Sequence, residues 1–274
     1  MTARHHISGS TRVVGVIGDP VAHSQSPAMH NAAFVALDLD WVYVAFPVPR
    51  GEGASAVRAV PALGLAGLNV TMPHKADAAT ACDELAPDAA ALGAVNTVVH
   101  ADGVLVGHST DGDGFLRALG DERVEVAGRR ALVLGAGGAA RAITHSLGRS
   151  GAAVTVAARR LDAARAAAAL APDGVDIALD DIPVEQFDVI VNATPLGMGG
   201  ESPPFDTSHL HEGQFVFDTV YPADTPLLLE ARARGLRAAG GLGMLVHQGA
   251  LSFALWTGVT PPIDVMRAAA SGDA

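Results

Sequence analysis

Apolar residues fall along this chain in two rhythms. Short unbroken runs, rich in valine and isoleucine, have the length of strands: Arg12–Ile17, Trp41–Val48, Ala131–Leu134, Ala153–Ala157, Phe187–Asn192 and Phe215–Val220. Gly93–Val99 and the VLVGH run near residue 105 add two more, joined by a hairpin at Ala101-Asp102-Gly103. Between these runs apolar positions recur at helical spacing over Ala54–Leu63, Ala76 to about Leu85, Ala89–Leu92, Asp162–Leu170, Thr225–Gly235 and Met244–Trp256, and over a stretch after Asp111. Ser26 stands before Pro27 where a helix N-cap and first helical residue belong. Asn69 and Thr71 share one face of a short strand that Pro73 ends, and Pro73 is able to open the next helix.

One junction between the rhythms carries chemistry. The strand Ala131–Leu134 stops at Gly135, and an alanine-rich helix starts about five residues later. Gly135 permits a tight turn, Gly137 lets backbone approach a pyrophosphate, and Ala140 keeps helix and strand close, which is the pattern of a dinucleotide-binding βαβ unit. The helix N-terminus offers free N–H groups and a positive dipole end to phosphates. The next strand ends at Arg159-Arg160, where an acidic residue would bind a free ribose 2′-hydroxyl and an arginine suits a 2′-phosphate. The pair reads either as a phosphate clamp or as two solvated arginines, and the turn upstream favours the clamp and NADP(H).

Polar residues that interrupt apolar runs mark further candidates. Ser24 and Ser26, two residues apart, present two hydroxyls on one side of an extended segment, as a carboxylate grip or as simple capping by Ser26. Lys75 falls at the entrance of a helix, where the dipole disfavours a cation, so it is either functional or a solvated surface lysine. Asn96 needs partners if its strand is buried. Asp111 is a helix N-cap or a site residue, and Gln248 is a satisfied core amide or a ligand contact. Asn192, Thr194 and Gly197 stand at the carboxyl end of a strand, where open α/β sheets bind ligands.

Composition narrows the field. With 274 residues and 49% hydrophobic content the chain has ample core for one large or two modest domains. A net charge of −11 is no footprint for nucleic acid, no run approaches a membrane span, and the opening residues lack the apolar core of an export signal. One cysteine, Cys82, excludes an intramolecular disulfide framework and fits a reducing cytoplasm; no cluster has metal-ligand spacing. The expected partner is a small molecule.

Seven motifs stand in one order: HSQSP, NVTMPHK, GAVNT, STDG, GAGGAAR, NATPLGM and GLGMLVHQGALSFALW. Together they resemble the shikimate dehydrogenase family from about Val14 to Trp256. The resemblance implies an α/β fold of two domains, an N-terminal α/β substrate domain (1–110 plus 245–274) and a Rossmann-type NADP-binding domain (111–244). It implies reversible reduction of 3-dehydroshikimate to shikimate by NADPH, in a monomer or homodimer. By motif position Ser24, Ser26 and Tyr221 would grip the substrate carboxylate, and Thr71, Lys75, Asn96, Asp111 and Gln248 would contact ring hydroxyls, with Lys75 and Asp111 as the catalytic pair. Gly135, Ala136, Gly137, Gly138, Ala139, Arg159, Arg160, Asn192, Thr194, Thr219 and Gly241 would contact the cofactor.

Two positions depart from the family pattern: Ser109 stands where an asparagine is usual, and Ala158-Arg159-Arg160 replaces Asn-Arg-Thr. Relatives that take quinate with NAD(H) tend to carry threonine at the second serine and an acidic residue at the arginine, and this chain has Ser26 and Arg159. A non-catalytic NADP-sensing module would have shed the acid/base pair, which is present here.

Overall fold

The computed structural model describes residues 7–221 and 223–272. Pro222, expected after Tyr221 at a strand end, and residues 1–6 lie outside them. In chain order come β1 (Arg12–Gly18), α1 (Ser26–Ala36), β2 (Trp41–Pro47), α2 (Gly53–Arg58), β3 (Gly67–Val70), α3 (Lys75–Ala81), β4 (Glu84–Leu85), α4 (Pro87–Leu92), β5 (Thr97–Ala101) and β6 (Val104–His108). Then come α5 (Asp111–Asp121), β7 (Arg130–Leu134), α6 (Gly138–Arg149), β8 (Ala153–Ala158), α7 (Leu161–Ala168), β9 (Val175–Ala178), β10 (Val189–Asn192), β11 (Phe215–Asp218), α8 (Pro226–Ala233), β12 (Arg237–Ala239), α9 (Leu242–Thr257) and α10 (Ile263–Ser271). These divide into two compact units: residues up to Thr110 with those from Leu245 onward, and Asp111–Met244.

The first unit is built on a mixed sheet in the order β2-β1-β3-β5-β6-β4. β2, β1 and β3 run parallel, β5 is antiparallel to β3, and β6 is antiparallel to β5. One edge of the sheet therefore collects the chain leaving β1, β3 and β6 and the chain entering β5. That edge carries Ser24 and Ser26, Thr71 and Lys75, Asn96, and Ser109 with Thr110. Ile17, Leu68, Val70, Val98 and Leu105 fill the core with Val57, Ala78 and Ala89 from the helices. Another buried cluster is aromatic, with Phe34, Tyr43, Phe253 and Trp256 around His30. The hairpin stands where Asp-Gly predicts it, with Asp102 and Gly103 both left-handed between Ala101 and Val104.

Two helices differ from the pattern-based expectation. The helix expected over Ala54–Leu63 ends at Arg58, because Pro61 has no N–H to continue the ladder and disfavours helical geometry in the residue before it. The helix expected to run on to about Leu85 stops at Ala81. Cys82 turns extended, the Asp83 N–H and carboxylate pair with the Leu105 backbone, and Glu84–Leu85 becomes a short strand beside β6. α3 opens at Lys75 with His74 as its N-cap residue, so Pro73 lies in the turn before the helix.

The second unit holds an all-parallel sheet in the order β12-β11-β10-β7-β8-β9. Counted from β7, that is the 3-2-1-4-5-6 order of a doubly wound dinucleotide fold, with its switch point between β7 and β10. Alternate residues serve the two faces: Val133, Val154, Val156, Val189 and Val191 pack on one side with Ile143 and Leu147 of α6. Leu132, Leu134, Ile190 and Val216 pack on the other with Leu227 and Leu228 of α8. β9 escapes the hydrophobic pattern because VDIA at a sheet edge is half-exposed and too short to register.

Candidate active site

In the first unit the serine segment is not extended. Gln25 has helical backbone geometry and is the N-cap residue of α1, while Ser26 lies inside the first turn. The Ser24 hydroxyl accepts the Ser26 N–H at 3.3 Å. Capping by Ser26 is thus corrected: Ser24 makes the local backbone bond, and the buried Ser26 hydroxyl has no hydrogen-bond partner among the described residues. Lys75 is the first residue of α3, as its position in the sequence predicts, and its carbonyl accepts the Val95 N–H at 2.9 Å. Lys75 and Asn96 are thereby neighbours on the sheet edge.

Asn96 is 3% exposed and its amide is engaged on both sides. Nδ2 donates to Thr110 Oγ1 at 2.8 Å and to Gln248 Oε1 at 3.2 Å, while Oδ1 accepts from the Thr110 N–H and the Thr97 hydroxyl. Behind it Asn69 takes the Tyr43 hydroxyl at 2.8 Å and donates to the Asn96 carbonyl, Thr97 and Ser252. Ser252 and Thr110 both donate to the Gln248 carbonyl. This network ties the edge of the sheet to α9, so Gln248 is held by the chain's own polar groups rather than standing in an apolar face. Thr97, Thr110 and Ser252 escaped the sequence reading. For Ser252 a signal existed, since it stands one helical turn after Gln248.

In the second unit Gly135 has φ +109°, and a Cβ there would sit 2.9 Å from the Ala193 carbonyl oxygen. Only glycine allows β7 to turn so tightly beside the exit of β10. The next residues, Ala136 to Ala139, lead into α6, whose N-cap residue Gly137 offers no side-chain cap and has open space around it. Its first N–H groups are left for an anion. Arg159 and Arg160 come directly after β8, both exposed and with no hydrogen-bond or ion-pair partner among the described residues. A Cβ at Gly241 would overlap the Thr219 carbonyl oxygen, so the chain entering α9 lies directly on the chain leaving β11. The glycine turn after β7, the uncapped start of α6 and the exposed arginine pair after β8 are the groups that a dinucleotide with a 2′-phosphate calls for.

Asn192 ends β10 and is 3% exposed. Its Oδ1 accepts the Thr194 hydroxyl at 2.6 Å and the Thr194 N–H at 3.1 Å, and its Nδ2 donates to the Leu196 carbonyl. Facing it across the register is Asp218, fully buried at the end of β11. Burial pushes the Asp218 carboxyl up, opposed by hydrogen bonds from Asn192, Val220 and Thr225. Asp218 was not singled out from the sequence, although it breaks the apolar run FVFDTV. Tyr221 is half-buried in this second unit, and burial raises its phenol pKa. Asp111 is buried and opens α5.

A family model described as the shikimate dehydrogenase substrate binding domain matches residues 16–98, and one described as the shikimate 5′-dehydrogenase C-terminal domain matches residues 241–270. The shikimate dehydrogenase (NADP(+)) of Geobacter metallireducens is 47% identical over 95% of this chain and 96% of its own. This chain belongs to the shikimate dehydrogenase family. The Methanopyrus kandleri shikimate dehydrogenase (NADP(+)) is 46% identical over 98% of both chains. The Thermus thermophilus enzyme, solved in complex with NADP(H) and shikimate, superimposes with a TM-score of 0.89 at 38% identity, covering 96% of this chain and all of that one. No helix among the described residues is long and apolar enough to cross a membrane, and none of their side chains cluster as a metal site.

Proposed function

We propose that this chain catalyses the reversible NADPH-dependent reduction of 3-dehydroshikimate to shikimate. The observation that carries the reading is the near-full-length identity with NADP-dependent shikimate dehydrogenases. Residues up to 110 with 245–274 bind the substrate, and residues 111–244 bind NADP(H). Ser24, Ser26 and Tyr221 grip the carboxylate; Thr71, Lys75, Asn96, Asp111 and Gln248 contact the ring hydroxyls. The exposed Arg159 and Arg160 hold the 2′-phosphate, and the uncapped start of α6 takes the pyrophosphate. The protein works in the cytoplasm as a monomer or homodimer on small molecules.

NADPH, when bound, supplies the hydride. Arrival of a hydride at the ketone carbon leaves an alkoxide, which must gain a proton from a group within hydrogen-bond reach. Lys75 gives that proton and its positive charge favours the developing oxyanion, with Asp111 orienting the ammonium. In the reverse direction Lys75 must be neutral to take the hydroxyl proton. Oxidation of shikimate releases a proton overall, so its equilibrium is expected to be drawn toward 3-dehydroshikimate as pH rises.

The deciding experiment tracks nicotinamide absorbance with shikimate or quinate against NADP⁺ or NAD⁺. A dominant shikimate/NADP⁺ rate is the expected result. Comparable rates with quinate or NAD⁺ would overturn the substrate or cofactor assignment, and silence in all four would revive the non-catalytic NADP-sensing reading.

A further inference from the structure

We propose that Asp218 is a positioning residue that sets the orientation of the Asn192 amide and so holds residues 192–197 in the shape that receives the nucleotide. The inference rests on the reading of Asn192 and Thr194 as cofactor contacts. Asp218 is an acceptor on both oxygens, with no exposure to water. Asn192 Nδ2 lies 3.0 Å from each of them, Val220 N–H donates to Oδ1 at 3.0 Å, and the Thr225 hydroxyl donates to Oδ2 at 2.7 Å. Every neighbour is a donor. The amide of Asn192 has no choice of orientation: its nitrogen must face Asp218 and its oxygen must face the loop.

That oxygen organises the loop after β10. It accepts both the N–H and the hydroxyl of Thr194, and the Thr194 hydroxyl in turn accepts the Leu196 N–H at 3.1 Å. On the other side, Thr225 receives the Leu228 N–H as the N-cap of α8. A single buried carboxylate thus links the loop after β10, the exit of β11 and the start of α8. Burying a carboxylate without a cation partner is costly, and three donors compensate it here. An apolar residue here would leave the Asn192 amide nitrogen, the Val220 N–H and the Thr225 hydroxyl without this acceptor, and it is an acceptor facing the nitrogen that fixes the polarity of the amide.

The test is a pair of variants in the full chain. In D218N an N–H₂ group would face the Asn192 nitrogen. That replaces one of the two oxygens 3.0 Å from the nitrogen by a donor, so the amide is no longer held in one orientation and can turn its N–H₂ toward the Thr194 N–H, weakening the relay. The reciprocal variant N192D/D218N restores a donor facing an acceptor and keeps an acceptor toward Thr194, at the cost of the bond to the Leu196 carbonyl, which then faces a carboxylate oxygen. We expect D218N to weaken NADP⁺ binding by about tenfold or more, read by calorimetric titration without substrate, and N192D/D218N to recover most of that loss. In turnover, the NADP⁺ KM should rise with the shikimate KM unchanged. D218N with NADP⁺ binding as in the parent, or a double variant no better than D218N, would overturn the proposal. Should D218N not fold, the double variant decides: folded with NADP⁺ bound supports the pairing, and unfolded overturns it. A parent chain that binds NADP⁺ more tightly than D218N yet leaves shikimate unoxidised would sink the proposed activity while supporting this inference.

Discussion

Lys75 opens a seven-residue helix, at the end where the helix dipole repels its charge, and Asp77 in the same turn is the only acidic residue there. Lys75→Ala is expected to lower kcat by roughly a hundredfold or more while leaving the shikimate KM within a few-fold, the mark of a group that acts in the transition state. Steady-state kinetics in both directions check it. Arg159→Ala should raise the NADP⁺ KM about tenfold or more with little change for NAD⁺, because only the former carries the phosphate. Residues of this kind stand out in the sequence because they violate a local rule: a cation at a helix start, arginines at a strand end in an acidic chain. Asp218 broke a rule too, a carboxylate inside an apolar strand, but its meaning depends on Asn192, twenty-six positions away in the chain and hydrogen-bonded to it. The serine pair misled for a different reason. Its geometry turned on the backbone of Gln25, which no side-chain pattern reveals.

At the scale of elements, strands of the parallel sheet were easiest to place, since burial on both faces leaves uninterrupted apolar runs. Edge strands β4 and β9 were invisible because their residues are half-exposed or polar. How elements meet is set by small contacts: Gly241→Ala would drive a methyl into the Thr219 carbonyl where β11 and α9 approach. A loss of about 1–3 kcal/mol is expected, seen as a lower denaturation midpoint that added NADP⁺ restores poorly. The meeting of α1, β2 and α9 carries a second prediction. His30 lies flat on Tyr43 with ring centroids 4.4 Å apart, and neither ring nitrogen has a hydrogen-bond partner among the described residues. Burial lowers its pKa from 6.5 to about 3, so the folded chain keeps it neutral while the unfolded chain protonates it below 6.5. Stability from this group is complete above pH 6.5 and is lost as pH falls toward 3, by up to roughly 1.4 kcal/mol per pH unit. His30→Phe should flatten the decline of the unfolding midpoint between pH 6 and 4; an unchanged slope would assign the acid sensitivity elsewhere.

For the whole molecule, the sequence motifs suffice to place the family, but not the networks that join distant segments. Asn69, Asn96, Thr110 and Ser252 become one hydrogen-bonded group only because the chain returns to its first unit after completing the second. Residues 111–244 form a contiguous unit with its own two-faced core. Expressed alone they are expected to fold cooperatively, whereas residues 1–110 alone, lacking Phe253, Trp256 and the Gln248–Ser252 turn, are expected to remain unfolded. Circular dichroism and thermal melts of the two fragments would check both outcomes.

The same return of the chain governs the order in which a ribosome delivers the parts. Residues up to 110 emerge first but cannot close their aromatic cluster until Phe253 and Trp256 of α9 have been made. At about 5–20 residues per second that wait lasts on the order of ten to thirty seconds. During it the middle of the chain can finish folding while the beginning still exposes Phe34, Trp41 and Tyr43. The nascent protein matures from its centre outward, and its earliest-made strands are the ones most in need of shelter from aggregation.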